Sequence, residues 1–270
     1  MSENVQFQTH LDGRPATAID LAPLAFAGFA HFTAMQVRAG CVRGLDLHLA
    51  RLRSASRVFF GSALPDDQVC AYLRSALADG PADLSLTATM FSRTGEFTPT
   101  GLANDPAVLV RTGPAATGPA GPLRLMAVAH QRLLPTIKHV GESAKTLYLR
   151  QAVHAGFDDS AFIDSEGRLS EATIWNLAFW DGEAVIWPEA TMLPGITMAI
   201  VRRQLQRLGV PQRQQPITLE GLKGMAGAAV MNSWTPGVSV SRIGAQDLPM
   251  SSRFLDILHQ AYREEPPENF

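Results

Sequence analysis

Apolar positions fall into short strand-like runs and longer stretches at helical spacing, and this pattern outlines the elements. Phe32–Val37, Leu84–Ser92 and Ala107–Arg111 read as strands. Between them, Asp46–Phe60 reads as an amphipathic helix. Leu45, Leu49, Leu52 and Ser56 lie on one face, and Val58, Phe59 and Phe60 close it. Asp66–Asp79 reads as a second helix, with Val69, Tyr72, Leu73, Ala76 and Leu77 on one side. Further along, Leu123–Val128, Ser160–Asp164, Trp175–Trp180 and Ala184–Pro188 are strand-like, as are Val230–Ser233 and Val238–Ile243. Helices are expected at Ser143–Ala155, stopped by Gly156, at Thr197–Leu208, stopped by Gly209, and at Phe254–Arg263. The expected class is α/β without clear alternation, so α+β layers fit as well as a doubly wound sheet.

Thr112–Pro122 interrupts the pattern with three Pro and three Gly in eleven residues. That composition suits a linker or extended loop. It divides the chain into an N-terminal domain, 1–111, the linker, 112–122, and a C-terminal domain, 123–270.

The chain has 270 residues, enough for a full core without disulfide or metal staples. With 46% hydrophobic and 18% charged residues it has globular composition, and a net charge of −2 leaves no basic footprint for nucleic acid. Two uncharged stretches, Leu21–Val37 and Gly224–Val240, have 17 residues each, but their Pro, Gly and polar residues favour buried strands and loops over membrane spans. Cys41 and Cys70 lack CxxC spacing, so no disulfide framework or metal cluster is expected. Met1–Asn4 has no secretory character, and a reducing cytoplasm is the expected compartment.

The 23 basic residues are 20 Arg and only three Lys: Lys138, Lys145 and Lys223. Lysine chemistry, if present, has three candidates. Lys138 stands in the apolar segment Leu134–Gly141, where desolvation would favour the neutral, nucleophilic amine. A solvent-facing lysine at a strand end is the plainer alternative. Glu171 stands next to the apolar, aromatic strand Trp175–Trp180 and is either a turn carboxylate or the partner of a buried group. Leu193-Pro194-Gly195-Ile196-Thr197 opens a helix, whose free N–H groups and Thr197 hydroxyl can hold an anion or simply begin the helix. Arg51, on the first helix, is a phosphate-holding residue or a solvated charge.

The order of these segments resembles the class IV aminotransferases, the fold-type IV pyridoxal-phosphate enzymes. That family includes branched-chain and D-amino-acid aminotransferases and aminodeoxychorismate lyase. The resemblance rests on Ile137-Lys138-His139, Ala155–Asp159, Asp164–Glu171 with Asn176, and Pro194–Thr197, and it spans about Leu11 to Val240. It implies a two-domain fold-type IV architecture, pyridoxal 5'-phosphate as cofactor, and Lys138 as Schiff-base lysine and proton shuttle. Lys145 lies seven residues too late for that alignment, and Lys223 falls outside the matching blocks. By the same resemblance Glu171 meets the pyridine nitrogen, Leu193 packs on the ring, and Arg51, Ile196, Thr197 and Ser233-Trp234-Thr235 hold the phosphate. Trp234 departs from the family's small-residue turn, though its backbone N–H can still serve.

The segment Ala27–Met35 departs from the usual family pattern. His31, Phe32 and Thr33 are substrate-side candidates, with His31 equally readable as a core histidine. Arg93 stands where some members place an arginine for the substrate carboxylate; an ordinary loop arginine reads as well. The implied reaction is amino transfer from an amino acid or amine to a 2-oxo acid, in a homodimer. A lyase of the aminodeoxychorismate type is the alternative, which Thr33-Ala34 in place of paired threonines disfavours. A non-catalytic protein retaining the fold is the second alternative.

Overall fold

In the computed structural model, residues 7–93, 96 and 106–270 are described. The Met1–Asn4 segment and Thr94–Gly95, after Arg93, lie outside them. The chain forms two units. The first comprises residues up to Ala116 together with Ile137–Glu142 and Pro266–Phe270; the second comprises Thr117–Thr136 and Ser143–Glu265.

The first unit contains β1 (Thr9–Leu11), β2 (Arg14–Pro15), α1 (Ala18–Leu21), β3 (Ala30–Val37), β4 (Val42–Arg43), α2 (Leu45–Phe60), α3 (Asp66–Leu77), β5 (Leu84–Phe91) and β6 (Ala107–Pro114). Its sheet has the order β2-β1-β6-β5-β3, antiparallel throughout. Met35 and Val37 of β3 join Leu52, Ala55 and Phe59 of α2 and Val69 and Leu73 of α3 in one buried cluster. The amphipathic helices thus cover one face of the sheet, as their spacing requires.

The second unit contains β7 (Leu123–Ala129), α4 (Ser143–His154), β8 (Asp159–Ile163), β9 (Leu169–Ala172), β10 (Asn176–Trp180), β11 (Val185–Pro188), α5 (Ile196–Arg207), β12 (Gln212–Gln215), β13 (Gly227–Asn232), β14 (Thr235–Ile243), β15 (Gln246–Asp247) and α6 (Ser252–Glu264). Its nine strands run β12-β11-β10-β13-β14-β7-β8-β9, with β15 on β14. β9 also pairs back onto β10 through Glu171 and Asn176, closing six strands into a barrel. β7 and β8 are parallel, with α4 as their crossover. β10 and β11 are buried at every position, which explains their unbroken apolar runs.

The units differ from a linear division. Thr112–Pro114 continue β6 opposite Leu84–Leu86, so the linker-like composition begins inside a strand. Two later segments return to the first unit because backbone pairing recruits them. The Phe32 N–H donates to the Lys138 carbonyl and the Val140 N–H to that of Ala30, each at 2.8 Å. Pro267–Glu268 pairs with β4. No helix among the described residues is long and apolar enough to cross a membrane. Leu21–Val37 folds largely as a 3-10 turn and β3, and Gly224–Val240 largely as β13 and β14.

Candidate active site

Barrel closure decides where Glu171 goes. The β9–β10 pairing buries its carboxylate, and three groups meet it. Oε1 lies 3.4 Å from Arg132 Nη1 and accepts from the Leu193 N–H at 3.4 Å. Oε2 lies 3.6 Å from Lys145 Nζ. The side chains of Glu171 and Arg132 are 4% and 3% exposed, and that of Lys145 is 13%. Charges this enclosed persist only when paired, so the three form one electrostatic unit. Asn176, opposite Glu171, donates from Nδ2 to the Leu193 carbonyl at 2.8 Å. Glu171 and Asn176 together therefore fix both backbone groups of Leu193, whose side chain is buried.

The start of α5 is built on the same asparagine. A Cβ at Gly195 would lie 1.8 Å from Asn176 Oδ1, so only glycine lets the helix begin there. Gly195 caps the helix without a side chain, which leaves the first-turn N–H groups of Ile196 and Thr197 as hydrogen-bond donors. Thr197 is buried and donates from Oγ1 to the Asn232 carbonyl at 2.8 Å. Asn232 Oδ1 in turn accepts from the Trp234 N–H at 2.8 Å. The helix start and the β13–β14 turn, Ser233–Trp234, are thereby tied together. Trp234 packs edge-on against Trp175, with ring centroids 5.7 Å apart, and Thr235 is buried at the start of β14.

In the first unit, Lys138 lies along the β3 edge, next to the His31–His139 bridge. Its Nζ stands 4.8 Å from the centroid of the Phe32 ring, a cation–π distance. His139 pairs with Glu142 at 2.9 Å. His31 and Thr33 point to the opposite face of β3 from Phe32, as strand alternation demands. His31 is fully buried, bonds Ser56 of α2 through Nε2 at 3.0 Å, and contacts the rings of Phe59 and Phe60. Thr33 Oγ1 bonds His48 Nδ1 of α2 at 2.6 Å. Burial pushes both imidazoles down to about 3; at His48 the nearby Arg51 lowers it further and Asp46 opposes. Both are neutral packing histidines, and the structure does not bring His31 or Thr33 together with Phe32 and Lys138. Arg51 is half-buried on the same helix. Arg93 is ion-paired with Asp12, whose other oxygen accepts from the Val108 N–H, so it serves the β1–β2 turn.

Arg132 and Lys145 were not singled out as partners of Glu171 by the sequence. A signal for Lys145 existed. Lys145, Tyr148, Leu149 and Ala152 follow helical spacing and form the less exposed side of α4. Nothing in the local sequence marks Arg132.

The chain matches the model of the "Amino-transferase class IV" family over residues 30–243, and it belongs to that family. Its fold is that of the fold-type IV enzymes. A branched-chain aminotransferase from Thermobaculum terrenum, in its PLP form, superposes with a TM-score of 0.83 at 16% identity, covering 97% of this chain and 94% of that one. A branched-chain aminotransferase from Thermoproteus uzoniensis, solved with norvaline, gives 0.81 at 19% identity over 96% and 94%. A Legionella pneumophila protein assigned as a 4-amino-4-deoxychorismate lyase gives 0.81 at 19% identity over 93% and 96%. A search of curated protein sequences gives no match.

Proposed function

We propose that this chain is a pyridoxal 5'-phosphate-dependent aminotransferase that moves an amino group from an amino acid or amine to a 2-oxo acid. The observation that carries the reading is the buried Glu171 carboxylate, joined through Leu193 and Asn176 to an α5 start that only glycine permits. The residues fit that cofactor. A buried carboxylate suits a protonated ring nitrogen, and the N–H groups of Ile196 and Thr197, beside the Ser233–Thr235 turn, suit a phosphate. When bound, the cofactor supplies an aldehyde for covalent attachment to an amine and a ring that accepts an electron pair.

In this reading Lys138 would hold the cofactor through its amine, and its freed Nζ would take the substrate's α-proton and deliver it to the former aldehyde carbon of the cofactor, as amino transfer requires. Glu171 accepts the ring N–H. By the family resemblance Leu193 would meet the ring and Arg51 would help to hold the phosphate. Phe32, beside Lys138, is the substrate-side residue of the three candidates on β3. Arg93 is already engaged by Asp12, so a substrate carboxylate is held elsewhere or the donor is an amine. The family resemblance suggests a homodimer, and we place its work in the cytoplasm.

The test is a donor screen across L-amino acids, D-amino acids and amines, with the keto product measured with and without a 2-oxo acid. Turnover that requires the 2-oxo acid, with ping-pong kinetics, supports amino transfer. The likeness to the Legionella protein keeps a lyase as the second reading, which pyruvate release without any acceptor would favour. A purified protein that takes up no cofactor would favour a non-catalytic role.

A further inference from the structure

We propose that Lys145 is a positioning residue for Glu171, holding the carboxylate oxygen that Arg132 and the Leu193 N–H do not. The inference rests on the reading of Glu171 as the ring-nitrogen partner. A glutamate's terminal torsion is broad, so contacts on Oε1 alone leave the plane of the carboxylate poorly determined. Lys145 Nζ, 3.6 Å from Oε2, supplies the contact on the other oxygen. The two basic residues thus divide the carboxylate, one to each oxygen. Residue type fits the task. This chain has 20 Arg and three Lys, yet the position carries a lysine. An arginine's planar fork can grip both oxygens at once and compete for the face a ring N–H needs, whereas an ammonium is a single compact charge. Placement fits as well. Lys145 opens the first turn of α4, on the side that carries Tyr148, Leu149 and Ala152, and its side chain is largely enclosed. An enclosed ammonium with no compensating anion would be costly, so the pairing sets where both side chains rest.

The experiment measures the dissociation constant of 4-deoxypyridoxine 5'-phosphate for the full-length protein by equilibrium dialysis. This probe keeps the ring nitrogen and the phosphate but has no aldehyde, so attachment to any lysine is removed from the measurement. Lys145→Met is expected to weaken binding ~10-fold, within the range of coupling between contacting residues. Lys145→Arg is expected to recover part of that loss. Lys145→Met combined with Glu171→Gln is expected to bind no more weakly than Glu171→Gln alone, because both changes remove the same arrangement. Circular dichroism and thermal melting establish folding, and Lys145→Gln replaces Lys145→Met if the latter is unfolded. Independent, additive losses from the two changes would overturn the proposal, as would binding by Lys145→Met within twofold of wild type. Glu171→Gln alone separates this failure from failure of the underlying reading: it is expected to weaken binding of the probe, and binding within twofold of wild type overturns the reading of Glu171 and the proposal with it. Weaker binding by Glu171→Gln together with wild-type binding by Lys145→Met overturns the proposal alone.

Discussion

Thr197 shows how much one hydroxyl organises. Its bond to the Asn232 carbonyl joins the first turn of α5 to the β13–β14 turn. Thr197→Val keeps the shape but leaves the carbonyl of half-buried Asn232 without that donor, at a cost of about 1 kcal/mol in denaturant unfolding. Cofactor binding by dialysis should weaken by a further several-fold, and Thr197→Ser should restore both. The two buried histidines make a different prediction. Their folded values of about 3 lie below the usual imidazole value of 6.5. The unfolded chain therefore binds more protons between those limits, so stability is complete above pH 6.5 and is lost as the pH falls toward 3. His31→Phe should remove up to one proton, ~1.4 kcal/mol per pH unit, from the slope of unfolding free energy between pH 4.5 and 6. An unchanged slope would contradict the assignment. The sequence motif marks Glu171, Asn176 and Gly195-Ile196-Thr197, and the fold brings these residues together around Leu193; their roles toward a cofactor are part of the proposal. The sequence was not legible for His31, Phe32 and Thr33. A strand's period shows that neighbours face opposite ways, but only packing shows which side the helices cover.

Among the elements, the start of α5 carries the sharpest constraint. The Cβ of a Gly195→Ala variant would meet Asn176 Oδ1, and that side chain is buried and bonded to Leu193. Relief requires the asparagine or the helix to move, so the variant should lose about 2–3 kcal/mol in urea unfolding and bind cofactor more weakly. A variant of wild-type stability would mean that the contact relaxes freely. The strongly patterned helices and apolar strands were readable in advance, including α2, α3, α5, α6, β10 and β11. The short β9 was not. Ser170 and Glu171 give it polar character, and they are buried because β9 closes the barrel onto β10, a long-range event that local pattern does not report. β12, with the sequence Gln-Arg-Gln-Gln, is a polar edge strand beside β11, invisible to hydrophobic periodicity.

Chain order and unit membership part company in the whole molecule. Ile137–Glu142 follows the Pro- and Gly-rich segment yet belongs to the first unit, and it brings Lys138 to the β3 edge, whereas Lys145 begins α4 of the second unit. Two lysines seven residues apart therefore stand in different surroundings: Lys138 beside Phe32, Lys145 beside Glu171. Composition placed a boundary near residues 112–122 but could not show that a later segment returns. Chemical trapping shows whether Lys138 is the cofactor-carrying amine. The protein is loaded with pyridoxal 5'-phosphate, reduced with borohydride, digested and mapped by mass spectrometry. A pyridoxyl label is expected on Lys138 and none on Lys145 or Lys223. A label on Lys145, or no label at all, would contradict that role.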